Sequence, residues 1–413
     1  MPTILRLLLG LSIAVIPLAA SAQVSIGGLP VGVPGTGPLL EPVLGDRAGV
    51  ADNLTRSVTQ LAQDRLRRID RLVRQNRDVI TRDARGEPAR PGELVLMDAD
   101  SAAIAAGEAA GYRVIDREMI DGLDLEIVRI ALPAGTSLAE AEEELAGLMP
   151  QASISADNLY FQHGGAGLLA AQATAPPRAS GARVVPIGMI DGAPGPAVPV
   201  AAIRGFADGA GVASNHGSAI ASLLSANGAT RILAADVYGT DRAGGNALAL
   251  ARALGWLAGQ GALVVTVSLV GPDNAVLERA VAAARQLGVV VVAAVGNDGP
   301  AAPAAFPASY DGVIAVTAVD RRERALIEAG RAAHLDYAAP GADIYALDRR
   351  GRSVEVRGTS YATPLVAVRI ARALQQGRGW RSELDSEAVD LGERGADPLY
   401  GRGLVCRGCS AER

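Results

Sequence analysis

The run Val289-Val290-Val291-Val292-Ala293-Ala294-Val295-Gly296-Asn297 decides the fold of this chain. Seven consecutive apolar residues without polar alternation are typical of a strand that is buried on both faces. A polar residue, Asn297, follows close behind the predicted strand. Similar apolar segments occupy residues 184–190, 232–237, 263–269 and 313–319. Together they predict a mostly parallel sheet that is covered on both faces.

Helical segments alternate with these strands. Apolar stretches at residues 218–225, 247–257, 275–287 and 363–374 have the length and composition of buried helices. This alternation predicts an α/β domain over residues 182–404, with helices on both faces of the sheet. In such domains the functional site lies in the crevice outside the carboxyl ends of the strands.

Four polar residues stand at predicted strand ends or helix starts. Asp191 ends the first strand, and His216 stands just before the helix at 218–225. Asn297 follows the strand quoted above, and Ser360 enters the last helix, with Pro364 expected in its first turn. Each alone has an ordinary structural explanation, such as a turn residue or a helix cap. Their shared placement predicts that they meet in one crevice.

The segments around these residues resemble the signatures of a known family. They are Ile190-Asp191-Gly192, His216-Gly217-Ser218, Ala294-Val295-Gly296-Asn297 and Gly358-Thr359-Ser360-Tyr361-Ala362-Thr363-Pro364. They resemble the subtilases, the subtilisin-like serine proteases, and occur in the order of that family's triad. The resemblance covers roughly residues 182–404, and the serine segment is its most specific part.

The resemblance implies a role for each residue. Ser360 would be the nucleophile, His216 its general base, and Asp191 the carboxylate that orients the imidazole. Asn297 and the Ser360 backbone N–H would form the oxyanion hole. No metal or organic cofactor is implied for the reaction. The strand that pairs with the substrate backbone in this family is resembled by Ser268, Leu269, Val270 and Gly271.

Two positions depart from the family pattern. Gly192 and Ala193 follow Asp191 where the family usually has Ser-Gly or Thr-Gly, and Ser218 replaces a threonine. Both changes lie beside the implied triad, so we expect at most a small effect on turnover.

Two other functions compete with a secreted or periplasmic serine endopeptidase. One is a catalytically silent subtilase-like domain that only binds, and labelling of Ser360 by a fluorophosphonate would separate the two. The other is an α/β-hydrolase esterase, but the chain lacks both the G-x-S-x-G elbow and the residue order of that class.

The composition excludes further classes. The 413 residues are 49% hydrophobic and 20% charged, as in a globular protein with a large core. A net charge of −5 does not favour a nucleic-acid partner. The chain has no lysine, which excludes Ser-Lys dyads and Schiff-base chemistry. Only three histidines occur, so a histidine-rich metal centre is not expected. No acidic calcium loop is recognisable, so structural calcium, common in the family, is not indicated.

Residues 1–22 have the marks of a secretory signal peptide. A basic start is followed by an apolar run over residues 7–19 and by Ala20-Ser21-Ala22. The run is short for a membrane span. We therefore expect export to the periplasm or the extracellular medium, with no transmembrane span after signal cleavage. A Gly/Pro-rich linker is expected over residues 23–50.

Residues 51–92 are predicted to form a basic amphipathic helix, up to about residue 80, and a linker. A helical apolar stripe with arginines around it carries this prediction. Such a helix can bind a membrane surface or a partner, but more commonly packs on its own protein. The stripe consists of Leu54, Val58, Ala62, Leu66, Ile69 and Val73.

Residues 93–163 alternate in the order β-α-β-β-α-β, the split βαβ or ferredoxin-like motif. Ser137 and Glu140 form a capping-box sequence before the second helix. Many secreted subtilases carry a propeptide of this fold, whose last strand inhibits the active site. The resemblance thus implies a zymogen that acts on polypeptides, is inhibited by its own propeptide, and cleaves itself between Phe161 and Gly181, near an Ala/Gly linker at 164–181.

The last residues, 405–413, are expected to form a tail. They contain Cys406 and Cys409, the only cysteines of the chain. One C-x-x-C pair predicts a local disulfide or two exposed thiols rather than a zinc or redox site.

Overall fold

The structure is a computed structural model. It describes residues 59–162 and 184–409, together with the backbone of residues 24–26, 29–31, 48–58 and 165–171 in helices and strands. The predicted signal peptide, residues 1–22, lies outside the described residues. Within the described part, no helix is long and apolar enough to cross a membrane.

Residues 1–43 form a unit of their own. In it, β1 (Val24–Ile26) pairs antiparallel with β2 (Leu29–Val31). The predicted linker at residues 23–50 therefore contains a short hairpin. Gly27-Gly28, the sequence between the strands, is typical of a two-residue hairpin connection.

The second unit begins with a long helix and a hairpin. Helix α1 (Ala48–Gln75) starts four residues before the predicted Asp52. Strand β3 (Thr81–Arg82) then pairs antiparallel with the start of β4 (Pro88–Met97). The linker predicted up to residue 92 was therefore wrong. Gly86, at a φ of +79°, lets the chain reverse between the two strands.

The small domain has the predicted order of elements after β4. These are α2 (Ser101–Ala109), β5 (Arg113–Ile120), β6 (Leu125–Ala131), α3 (Leu138–Leu148) and β7 (Ser153–Asn158). Strand β4 is central and pairs antiparallel with β6 and β7, while β5 pairs with β6. The capping box at Ser137 and Glu140 is confirmed.

Two short strands follow the small domain. They are β8 (Phe161–Gln162) and β9 (Gly165–Ala171). Because β9 lies inside the predicted Ala/Gly linker at residues 164–181, that stretch is not only a linker. A strand can form there without large side chains, since the backbone alone supplies the pairing groups.

The large domain, residues 184–409, has the predicted α/β character. Its helices are α4 (Asn215–Ala226), α5 (Ala247–Gly259), α6 (Ala275–Gln286), α7 (Thr359–Gln375) and α8 (Trp380–Glu387). Its strands are β10 (Ile187–Asp191), β11 (Ala202–Gly205), β12 (Ile232–Asp236), β13 (Val264–Val267), β14 (Leu269–Val270), β15 (Val290–Ala294), β16 (Ile314–Val319), β17 (Tyr337–Pro340), β18 (Ile344–Leu347) and β19 (Ser353–Arg357).

Seven of these strands form one parallel sheet, which confirms the predicted fold class. Their order is β11-β12-β10-β13-β15-β16-β17. The edge strands β11 and β17 were not predicted, because neither is a long apolar run. The chain moves to opposite sides of β10 when it forms β12 and β13. A crevice is expected where β10 and β13 end, at this switch point.

Side chains that alternate along the strands pack into two separate hydrophobic cores, one on each face of the sheet. Residues such as Ile190 and Val265 pack with α5 and α6, while neighbours such as Met189 and Val264 pack with α4 and α7. Since both faces are covered, the central strands have no polar alternation. This packing fixes the positions of their carboxyl ends.

The sheet of the small domain is also covered on both faces. Leu94 and Leu96 pack under α2 and α3, within the small domain. Val95, Met97 and Ile127 belong to the same apolar cluster as α5 and α6 of the large domain. The small domain therefore completes its core with helices of the large domain.

The packed core continues beyond residue 404, where the tail was predicted to begin. Val405 and Cys406 are buried in the large domain, and Cys406 forms a disulfide with Cys409. Of the two predicted states, the structure has the local disulfide. The two exposed thiols are excluded, because Cys406 packs against the apolar cluster that also contains α7.

Candidate active site

Asp191 and His216 meet at the carboxyl end of the sheet. Asp191 is the last residue of β10 and is fully buried, and His216 lies in the first turn of α4. His216 Nδ1 lies 2.8 Å from Asp191 Oδ2. The other oxygen, Asp191 Oδ1, accepts a hydrogen bond of 2.7 Å from the Gly192 amide. These bonds offset the cost of burying the carboxylate.

Two glycines allow this close approach. A Cβ atom on Gly217 would lie 2.0 Å from the carbonyl oxygen of Gly192, and one on Gly192 would lie 2.5 Å from Ser214 Oγ. The Gly192 departure from the family pattern therefore has a steric reason. The hydroxyl of Ser218 donates to the Ser214 carbonyl at 2.5 Å and accepts from the Gly195 amide at 2.8 Å. Ser218 thus links α4 to the loop after β10.

Ser360 lies in the first turn of α7, fully buried. Pro364 lies inside this helix and not in its first turn as predicted, because α7 already begins at Thr359. Pro364 has no N–H to donate to the carbonyl four residues earlier, that of Ser360. The Ser268 hydroxyl donates to this carbonyl instead, at 2.9 Å. In return Ser360 Oγ donates to the Ser268 carbonyl at 3.2 Å.

The imidazole and the Ser360 hydroxyl are not hydrogen-bonded to each other in this state. His216 Nε2 is buried and has no hydrogen-bond partner in the part of the chain that the structure describes. The His216 ring lies 5.5 Å, centroid to centroid, from the ring of Tyr361, which directly follows Ser360. The fold therefore brings Asp191, His216 and Ser360 to one place, while the hydroxyl points to Ser268.

Asn297 lies three residues after the end of β15 and contacts the start of α7. Its Oδ1 accepts a hydrogen bond of 2.9 Å from the Thr359 amide. The Thr359 hydroxyl also donates to the Gly296 carbonyl, at 3.1 Å. Because the Thr359 N–H donates to Oδ1, the other end of the Asn297 side chain, the Nδ2 donor, faces away from Thr359. Asn297 is thereby oriented by the helix that carries Ser360.

The chain leaving the small domain pairs with the predicted substrate-binding strand. In the antiparallel pair of β8 and β14, Gln162 lies opposite Leu269 and Phe161 opposite Val270. Gln162 Nε2 donates to Asp191 Oδ1 at 2.9 Å. Sequence analysis did not identify Gln162, because no local pattern signals a contact 29 residues away.

Tyr160 anchors this strand in the large domain. Its side chain is fully buried, and its hydroxyl donates to the Pro272 carbonyl at 2.7 Å. A Cβ atom on Gly271 would lie 2.6 Å from the Tyr160 ring. Gly271, predicted to bind substrate, therefore makes room for a ring that precedes β8.

The chain pairs again on the other side of the site. Strand β9 is antiparallel to β19, with Gly165 opposite Arg357 and Ala166 opposite Val356. Strand β19 leads directly into Gly358 and α7. Only two residues separate the end of β8 from the start of β9. The chain is thus held by strand pairing both before and after this short interval.

Two tyrosines near Asp191 remain neutral. Burial raises the pKa of Tyr361, and the negative charge of Asp191 raises it further. The same two causes raise the pKa of Tyr238. Neither phenol supplies a second charged base beside the imidazole.

Among the described residues, no group of three or more His, Cys, Asp or Glu side chains could hold a metal ion.

Comparison with known proteins supports the resemblance seen in the sequence. Residues 207–400 match the model of the subtilase family. Subtilisin Savinase of Lederbergia lenta is 34% identical over 207 residues, which span 46% of this chain and 76% of that protein. A thermophilic serine proteinase of Bacillus sp. (strain AK1) is 37% identical over 206 residues, 46% of this chain and 50% of that protein.

The fold has a counterpart among solved structures. Fervidolysin from Fervidobacterium pennivorans, a keratinolytic enzyme related to subtilisin, superimposes with a TM-score of 0.63 at 16% identity. The superposition covers 78% of this chain and 61% of fervidolysin.

Proposed function

We propose that this chain, which belongs to the subtilase family and is a serine endopeptidase, hydrolyses peptide bonds through Asp191, His216 and Ser360 and is made as an exported, self-processing zymogen. The contact of 2.8 Å between Asp191 and His216, beside the turn that carries Ser360, supports the catalytic assignment. The features of residues 1–22 support export.

The reaction begins with a rotation of the Ser360 hydroxyl from the Ser268 carbonyl toward His216 Nε2. The hydroxyl proton passes to Nε2 as Oγ attacks the substrate carbonyl carbon. Asp191 accepts the Nδ1–H hydrogen bond and stabilises the imidazolium. The oxyanion receives hydrogen bonds from Asn297 Nδ2 and from the Ser360 N–H.

The intermediate then collapses to products. The imidazolium gives its proton to the leaving amine nitrogen as the peptide bond breaks, which leaves an ester on Ser360 Oγ. Water, deprotonated by His216, hydrolyses this ester and restores the hydroxyl. As proposed, the reaction needs no metal or organic cofactor.

The paired strands β8 and β9 are the observation that carries the zymogen proposal. A substrate must lie extended across the nucleophile, with one segment on each side of the scissile bond. Strand β8 ends at Gln162 on β14, and β9 begins at Gly165 on β19. We place self-cleavage between Gln162 and Gly165, a narrower interval than residues 161–181.

Inhibition after cleavage follows from the same contacts. The pairing of β8 with β14, the buried Tyr160 ring and the hydrogen bond from Gln162 to Asp191 do not depend on the scissile bond. The small domain therefore acts as a product-like inhibitor of polypeptide binding until it dissociates.

N-terminal sequencing of the large domain, with and without Ser360→Ala, tests this function. The wild-type chain is expected to yield a new N-terminus at residue 163, 164 or 165 and to react with a fluorophosphonate at Ser360. Ser360→Ala should remain uncut and unlabelled. The same N-terminus in both chains, together with no labelling of the wild type, would instead identify a silent binding domain processed by another protease.

A further inference from the structure

Two arginines of helix α1 reach the loop beside the candidate oxyanion hole. Arg68 Nη2 lies 2.7 Å from Asp298 Oδ1, and Arg65 Nε lies 3.5 Å from Asp298 Oδ2. Arg65 also pairs with Glu87 at 2.9 Å. Asp298 directly follows Asn297 in the sequence. The N-terminal helix thus contacts the active-site loop through a carboxylate of the large domain.

The same face of the helix makes apolar contacts. A Cβ atom on Gly299 would lie 3.0 Å from Leu61 Cβ, so the helix rests directly on this loop. Ile69 is buried, whereas Leu66, part of the predicted apolar stripe, is 40% exposed. The Arg65 side chain is only 15% exposed. The helix is therefore turned so that Arg65, and not Leu66, faces the protein, because acidic partners are present there.

The helix also closes a cavity next to the substrate-binding strand. This helix-side cavity has a volume of about 240 Å³. Arg65, Arg68 and Ile69 line it from α1, and Phe161 lines it from β8. From the large domain it is lined by Val270, Gly271, Gly296, Asp298 and Phe306. A side chain of a peptide bound along β14 would enter this space, and the helix covers it.

We propose that residues 59–75 of α1 are a second inhibitory element, which covers the helix-side cavity and is docked on Asp298 through Arg65 and Arg68. This inference rests on the proposed function, since a cover matters only on an active site. It differs from inhibition by β8, because α1 contacts Asp298 and Gly299, whereas β8 reaches the catalytic Asp191 through Gln162. The occupant is therefore a basic helix of the chain itself.

The ion pair between Arg68 of α1 and Asp298 is more sensitive to salt than the pairing of β8 with β14. Arg68 is half exposed, and ion pairs of this kind contribute little and are screened by salt, whereas Arg65 is only 15% exposed. Strand β8 is fixed by backbone pairing and by the buried Tyr160. Salt should therefore weaken the contact of α1 with Asp298 more than the pairing of β8 with β14.

The test compares two double variants of the full chain. Arg65→Ala/Arg68→Ala removes the two ion pairs with Asp298 and also the ion pair of Arg65 with Glu87. Arg71→Ala/Arg74→Ala is the matched control, with the same spacing, helix and charge change at exposed positions. Hydrogen exchange is measured in a Ser360→Ala background, where no cleavage complicates the result. Turnover of a short peptide is measured on the cleaved complex that keeps Ser360.

Arg65→Ala/Arg68→Ala is expected to increase exchange in residues 59–69 and 297–306 but not in 153–162. Turnover should rise about 2- to 30-fold, because the two ion pairs that join the helix to Asp298 are lost. The control should match the unmodified chain in both readouts. Unchanged exchange at 297–306, or an equal rise in the control, would overturn the proposal. If no chain turns over the peptide, the proposed function fails, while exchange still decides whether the helix covers the cavity.

Discussion

Asp191 in the large domain and Asp157 in the small domain are both buried carboxylates, but their surroundings differ. Asp191 interacts with His216, the Gly192 amide and Gln162. Asp157 is 2% exposed and, among the described residues, accepts a single side-chain hydrogen bond, of 3.0 Å from the Leu248 amide near the start of α5. Burial raises the pKa of Asp157 to about 7.

The difference between the two carboxylates shows that the two domains have different roles. The large domain assembles its carboxylate, imidazole and hydroxyl from its own strand ends and helix starts. The small domain supplies a surface whose groups gain their partners only when it is docked. Changes in the large domain should therefore affect the chemistry, and changes in the small domain should affect docking and stability.

The largest expected effect is that of Asp191→Asn. An amide cannot stabilise the imidazolium and favours the wrong imidazole tautomer, so kcat should fall about 10⁴-fold. The measurement is kcat for a peptide substrate, on chain matured by added wild-type enzyme.

Asp236→Asn is the matched control for this substitution. Asp236 ends β12 in register with Asp191 and is also fully buried, but its carboxylate accepts backbone amides of Gly211, Tyr238 and Gly239. Asp236→Asn should lower the free energy of unfolding and leave kcat nearly unchanged. An equal loss of kcat in both variants would mean that any buried acid at these strand ends matters equally.

The next effect in size is the pH dependence caused by Asp157. Its pKa is raised from 3.8 to about 7 by burial, which the Leu248 amide, Arg90 and Arg252 only partly offset, while Glu93 adds to it. The folded chain therefore keeps this proton at pH values where the unfolded chain has lost it. Stability should fall as pH rises from about 4 to about 7, by up to about 4 kcal/mol, and stay lowered above that range.

Asp157→Asn should remove this loss. Thermal unfolding of the Ser360→Ala precursor between pH 4 and 9 measures this loss of stability. Asp124→Asn, at an exposed position of the same domain, is the control. The Asp157 variant should lose less stability than the control as pH rises. Parallel pH profiles for the two variants would show that Asp157 is not the group that responds.

The fold and the candidate triad were accessible from sequence for a shared reason. A strand buried on both faces must be apolar, so the polar residue that follows it stands out, as Asn297 does after β15. Glycines that no side chain could replace, such as Gly217, keep these segments recognisable. The local sequence pattern around these residues therefore predicted correctly that they lie at strand ends and helix starts of the site.

The contacts between domains could not be predicted in this way. Gln162 and Asp298 are ordinary polar residues whose partners lie far away in the chain, and no periodicity relates them. Strand β9 pairs through its backbone, so its Ala/Gly composition gave no strand signal. Leu66 fitted a helical stripe, but the stripe could not show that acids of other segments would draw Arg65 inward.

The smallest expected effect is that of Ser137→Ala. The Ser137 hydroxyl accepts the Glu140 amide at 3.3 Å, and the Glu140 carboxylate accepts the Ser137 amide at 2.8 Å. Removing the first of these bonds should destabilise the precursor by about 0.5–2 kcal/mol. Thermal unfolding of the Ser360→Ala precursor is the measurement.

Ser101→Ala provides the matched control, because Ser101 is exposed and the cap of its helix is Asp100, which accepts the Ala103 amide at 2.7 Å. Helix α3 covers the face of the small sheet that is turned away from α5 and α6. The loss of its cap should therefore not reach the crevice, and kcat of the cleaved complex, in which the small domain is still bound, should be the same in both variants. A change in kcat for Ser137→Ala alone would mean that the small domain shapes the catalytic groups as well as covering them.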